Sequence, residues 1–162
     1  MAKPSRKSSA DAVRGIERTF FVTTKTIQGQ FLLQSERMAT LLIDVLRFYM
    51  AEKKFIVHDF VVMPNHLHAL LTIDDEMTIE KAMQLIKGGF SYRAKKELGF
   101  AGEIWQPGFS EVRIRDRRSF LKHREYIDQN PVKAGLAKTP EEYPYGSAYL
   151  KAQKRKKAGK GS

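Results

Sequence analysis

The chain has 162 residues with 42 % hydrophobic content, which suits one globular domain with a real core. It contains no cysteine, excluding disulfides and thiolate metal sites, and no apolar run approaches the ~20 residues that span a bilayer. Lysine and arginine number 29 against 18 acids, a formal net charge of +11 that favours a polyanionic partner, most often nucleic acid.

The first stretch, "MAKPSRKSSADAVRG", lacks the apolar core of a signal peptide, so residues 1–16 read as a flexible basic N-terminus and the protein as cytoplasmic. "RTFFVTTKTI" (Arg18 to Ile27) is β-branched and aromatic, hence a strand. Ser35 can cap a helix whose apolar positions Met38, Leu41, Leu42, Val45 and Phe48 or Tyr49 keep helical spacing. "FIVHDFVV" (Phe55 to Val62) is a second strand, and "MPN" supplies a tight turn into a third, Leu67 to Ile73. Thr78 can cap a second helix carrying Ile79, Ala82, Met83, Ile86 and Phe90 on one face. "SEVRIR" (Ser110 to Arg115) reads as a fourth strand. "DRRSFLKHREYIDQN" reads as a third helix, stopped by Pro131.

The order β-α-β-β-α-β-α implies an α+β, ferredoxin-like fold: a four-stranded antiparallel sheet with two helices on one face, plus a C-terminal helix. The domain is expected over 17–149. The segment after Gly135 reads as irregular, and 150–162, "LKAQKRKKAGKGS", as a disordered basic tail.

"VVMPNHLHALLTI" then becomes interpretable. Leu67, Ala69, Leu71 and Ile73 form one apolar strand face expected under the helices, and His66, His68, Leu70 and Thr72 point the other way, towards the open face of the sheet. Two imidazoles at i and i+2 can converge on one divalent ion, or be two ordinary histidines on a half-exposed strand. In the third helix Tyr126 and Asn130 are one turn apart on one face, with the phenol beside the apolar stripe through Phe120 and Ile127.

The blocks "VVMPNHLHALLTI", "AMQLIKGGFSYR", "IWQPGFSEVRIRD", "HREYIDQNPVKAGL" and "EEYPYGSAY" closely resemble the REP-associated tyrosine transposases, single-tyrosine HUH transposases of bacterial insertion sequences. The resemblance runs from about Arg18 to Tyr149. It implies a metal-dependent endonuclease and strand transferase for single-stranded DNA at REP-like hairpins. His66 and His68 match the ligands of Mg²⁺ or Mn²⁺, Tyr126 the nucleophile that forms a 5′-phosphotyrosine, and Asn130 a further ligand. Insertion-sequence relatives are dimers that exchange the tyrosine helix, whereas REP-associated members can be monomers; either state is open here. The rival reading is a non-catalytic regulator that binds hairpins. Initiation of rolling-circle replication is disfavoured by the single tyrosine in the helix and the lack of a helicase segment.

For DNA, Lys87, Gly88, Ser91 and Arg93 in the second helix are candidates, with Gly88 and Gly89 read either as a close approach of backbone or as a kink between helix and sheet. Arg113 and Arg115 are expected on the histidine side of the fourth strand, holding phosphates, with Val112 and Ile114 inward. Trp105, Phe109, Tyr143 and Tyr145 could stack on bases or pack in the core. The basic tail would add salt-sensitive affinity. One departure stands out: family members commonly carry histidine at the place of Val112.

Overall fold

The computed structural model describes residues 18–161. Its elements are β1 (Thr19–Lys25), α1 (Glu36–Ala51), β2 (Ile56–Met63), β3 (His66–Thr72), α2 (Ile79–Leu98), β4 (Ser110–Ile114), α3 (Arg117–Lys133) and α4 (Ser147–Gly161). The basic stretch 1–16 lies outside the described residues. All strand pairs are antiparallel in the order β2-β3-β1-β4, the sheet that the element order implies.

Helix starts follow local chemistry. Ser35 accepts a hydrogen bond from the Met38 amide, Thr78 from Lys81 and Asp116 from Ser119, each satisfying an amide without an intrahelical partner. Gly99 ends α2 in the left-handed conformation (φ 67°), the usual glycine stop.

The sheet carries a core on each face. α1 and α2 cover the first, where Val22, Leu67, Ala69, Leu71, Leu42, Ile86 and Phe90 are buried together. The second face is not open: α3 lies across it, and Leu70, Val61, Ile114, Phe120, Ile127 and Tyr143 form a smaller cluster. Pro131 does not stop α3. The helix continues to Lys133 with Pro131 buried inside it, at the loss of one helical hydrogen bond. The Pro131 carbonyl instead accepts from the Leu136 amide at 2.8 Å.

A β-bulge between Val57 and Asp59 has a structural consequence. It pairs Asp59 with Leu70, placing the carboxylate on the α3 face; regular pairing would aim it into the apolar core under α1 and α2. There Asp59, 2 % exposed at its side chain, takes Arg124 of α3 at 2.8 Å and Lys151 of α4 at 2.6 Å. Ser147 Oγ adds a bond to the Phe60 carbonyl at 3.2 Å. Removing both partners would leave a buried carboxylate uncompensated, so the set holds α3 against the sheet.

The same anchor corrects the expectation of a disordered tail. Residues 147–161 form α4, started by Ser147 and Lys151 on Asp59 and by half-buried Leu150 against the main core. The segment hides this because it has no apolar stripe, yet Ala, Leu, Gln, Lys and Arg are strong helix formers.

α2 passes through Gly88 and Gly89 without a break. A Cβ at Gly89 would lie 2.7 Å from Tyr49 Oη of α1, so this glycine serves a close helix–helix approach. Nothing lies within 4 Å of a Cβ at Gly88. Gly88→Ala is therefore expected to raise stability by about 0.5–1 kcal/mol. Gly89→Ala is expected to lower it by about 1–3 kcal/mol through overpacking. Paired thermal melts check this; equal gains would show that Tyr49 yields freely.

Candidate active site

The site forms at the end of the sheet where β2 turns into β3. Antiparallel register sets Thr23 of β1 opposite His68 and Lys25 opposite His66, and directly opposite residues share a face. That face therefore carries Thr23, Lys25, His66 and His68 side by side. α3 lays Tyr126 above them: its ring is 5.3 Å from that of His68 and 5.9 Å from that of Phe21, both edge-on. Phe21 also stacks on His68 at 5.2 Å and meets His123 of α3 at 4.8 Å, so one ring bridges the histidine on the strand and the helix. Tyr126 is 45 % exposed, its phenol reachable from outside the core.

Each histidine is oriented by a bond at Nδ1. Asn65 Oδ1 lies 2.8 Å from His66 Nδ1, and a carbonyl oxygen only accepts, so Nδ1 carries the proton and Nε2 keeps its lone pair. Thr23 Oγ1 lies 2.8 Å from His68 Nδ1 and leaves Nε2 of that ring to the site. Asn130 of α3 lies close enough to His66 to oppose the lowering of that imidazole's pKa. The two rings are 4.6 Å apart.

Burial disfavours the charged form of both imidazoles. Burial pushes His68 down to about 3, and the charges of His66 and Lys25 add to this. Burial likewise lowers His66, with Lys25 adding and Asn130 opposing. Neutral imidazoles with oriented Nε2 atoms are the form that binds a divalent ion, and the Nδ1 partners are those a ligating histidine needs. Among the described residues no third histidine, aspartate or glutamate joins the pair into a cluster. Two imidazoles that each leave Nε2 towards the site are a donor pair that a divalent ion can take.

The same shift gives a stability prediction. Unfolded His68 titrates near 6.5 and folded His68 at about 3, so between these values only the unfolded chain binds the proton. Stability is undiminished above pH 6.5 and falls as the pH drops towards 3. Asp128 opposes this, since burial and then the charge of Asp59 raise it from 3.8 to about 6, favouring the fold most at the acid end. Thermal midpoints between pH 7 and 4 are expected to fall in the wild type and to fall less steeply in His68→Gln; parallel curves would contradict this.

The other expected DNA contacts are mostly engaged elsewhere. Lys87 Nζ donates to the carbonyls of Gln106 (3.0 Å) and Gly108 (2.6 Å), binding the 99–109 loop to α2. Arg93 pairs with Glu97 at 2.6 Å, Gly88 is exposed and Ser91 half-buried. Arg113 lies on the opposite face to the histidines: it pairs with Phe20, and its guanidinium sits over that ring at 5.7 Å. Val112 and Ile114 occupy the histidine face instead. The expectation failed because both sheet faces hold a core, so apolar alternation in β4 does not identify which face is which. Arg115 is exposed just past the end of β4. Val112 is 46 % exposed opposite Phe21, so the family's usual histidine would stand beside this site.

Of the four aromatics, Tyr143 is buried and donates to the Val62 carbonyl at 2.7 Å. Burial pushes its phenol up to about 12. Trp105, Phe109 and Tyr145 pack against the core, Trp105 donating to the Lys87 carbonyl at 3.1 Å. Thr23, Lys25 and Asn65 were missed. Asn65 precedes the His-Leu-His run directly and could have been suspected, but Thr23 and Lys25 depend on a register no motif encodes.

A family model for IS200-like transposases matches residues 20–130. The Escherichia coli (strain K12) REP-associated tyrosine transposase is 28 % identical over 139 residues, 83 % of this chain and 78 % of that one. A Haemophilus influenzae protein provisionally given the same name is 31 % identical over 96 residues, 53 % of this chain and 54 % of that one. A solved structure of a REP-associated tyrosine transposase bound to a REP hairpin aligns with a TM-score of 0.65 and 28 % identity, over 83 % of this chain and 78 % of that one. The matched span runs from β1 through Asn130 and takes in both histidines and Tyr126; the chain belongs to the IS200-like transposase family.

Proposed function

We propose that this protein is a divalent-metal-dependent endonuclease and strand transferase acting on single-stranded DNA beside REP-like hairpins. The observation that carries this reading is the meeting of two oriented imidazoles with Tyr126 and Asn130 at one sheet end. His66, His68 and Asn130 would hold the ion, Mg²⁺ or Mn²⁺. When bound, the ion polarises the scissile phosphate and offsets charge as phosphorus becomes five-coordinate.

The chain's own residues do the rest. A free phenol titrates near about 10, so Tyr126 reacts as phenolate only beside positive charge. Its oxygen bonds to phosphorus, the bond to the 3′-oxygen breaks, and the products are a 5′-phosphotyrosine and a 3′-hydroxyl. The attachment conserves a phosphoester, so a 3′-hydroxyl can attack it in reverse and rejoin DNA. The anchoring of α3 through Arg124 on Asp59 supports a fixed approach of the phenol. Lys154, Arg155, Lys156 and Lys157 on α4 would add sequence-independent backbone affinity.

The test uses a REP-type hairpin oligonucleotide with an unpaired 5′ flank. With Mn²⁺ the protein is expected to form a covalent DNA adduct visible by denaturing electrophoresis, and EDTA is expected to abolish it while the hairpin still binds. Hairpin binding without any adduct would favour the regulator reading.

A further inference from the structure

We propose that Lys25 is a catalytic residue of the tyrosine site, its ammonium taking a non-bridging oxygen of the scissile phosphodiester as Tyr126 attacks. This rests on the function proposed above and assigns it a cation. Lys25 stands directly opposite His66 on the face that holds both histidines, and Thr23, the preceding residue of β1 on that face, orients His68. The Lys25 side chain is exposed and enters none of the ion pairs among the described residues.

Its backbone, by contrast, is fixed. The Gln106 amide donates to the Lys25 carbonyl at 2.9 Å, and Lys87 in turn holds the Gln106 carbonyl at 3.0 Å. The loop thus secures the end of β1 and leaves only the lysine stem to move. Among other bases, Lys87 is committed to the loop, Arg124 to Asp59 and Arg113 to the far face.

The chemistry needs such a charge. As the phenolate oxygen bonds to phosphorus, its charge moves onto the non-bridging oxygens before the bond to the 3′-oxygen breaks. The phenol proton leaves to solvent and the departing 3′-oxygen takes one up, so atoms and charge balance. A fixed cation beside those oxygens is worth more in that transition state than in the bound substrate.

The experiment measures single-turnover adduct formation at saturating hairpin oligonucleotide with Mn²⁺ and constant salt, alongside hairpin affinity and thermal midpoint. Lys25→Ala is expected to slow adduct formation by roughly 10²-fold at saturation, with affinity within about threefold and an unchanged midpoint. Lys25→Arg, which keeps the charge, is expected to recover at least tenfold of the loss. A full-rate Lys25→Ala would overturn the assignment while leaving the parent reading intact. So would a defect that disappears at saturating DNA, since that marks an ordinary binding base. A wild type that forms no adduct would overturn the parent reading and this one with it.

Discussion

Tyr126→Phe is expected to abolish covalent chemistry while leaving the fold and hairpin affinity nearly unchanged. The substitution keeps the ring, and with it the edge contacts to His68 and Phe21 at 5.3 and 5.9 Å. It removes one hydroxyl from a residue that is 45 % exposed, a change of ~1 kcal/mol or less in stability or binding. The rate effect is of another order, because no other phenol faces the histidine pair. Tyr143 is buried with its hydroxyl on the Val62 carbonyl, Tyr145 packs against the core and Tyr92 stands on exposed α2 beside Lys96. Phe substitutions at those three positions are expected to keep the adduct. Denaturing electrophoresis of each variant with labelled hairpin DNA reads the result directly; an adduct surviving Tyr126→Phe would mean the nucleophile is elsewhere.

Joint replacement of His66 and His68 by Ala is expected to lower cleavage on the order of 10³-fold or more, since a lost Lewis acid removes several kcal/mol of transition-state stabilisation. Hairpin affinity is expected to persist, because phosphate contacts from lysine and arginine dominate binding. Both rings are held in place from outside the site, by Asn65 and Thr23, so the truncation leaves those two polar groups to water. Metal-dependent protection from thermal unfolding should disappear in the same variant. Cleavage and metal protection at wild-type levels would contradict the ligand assignment.

Much of this was legible in the sequence for a physical reason: strands and helices announce themselves by period and caps. Ser35, Thr78 and Asp116 sit where the sequence puts helix starts, and Leu67, Ala69, Leu71 and Ile73 face the core that their alternation demands. His66, His68, Tyr126 and Asn130 fall on the two elements the reading assigned and meet at one sheet end.

What escaped was tertiary. The misplacement of Arg113 came from parity, since Ile114 is buried against α3 rather than under α1 and α2. Lys25 acquires its meaning from a pairing with His66 across 41 residues of chain, set by the packing of both cores. Asp59 looks like an isolated acid in an apolar strand until the bulge at His58 turns it towards Arg124 and Lys151. That bulge also explains α4, whose basic composition reads as a solvated tail but whose first turn serves a buried carboxylate.

The central claim is that Tyr126 becomes covalently joined to the 5′ end of cleaved DNA. Trypsin cuts after Arg124 and Lys133, so the residue lies in the peptide "EYIDQNPVK" with no other tyrosine. Mass spectrometry of wild-type adduct, after nuclease trimming of the DNA, should find that peptide heavier by a 5′-linked nucleotide placed on Tyr126. Nucleotide on any other peptide, or cleavage yielding only free 5′-phosphate and 3′-hydroxyl ends, would contradict it.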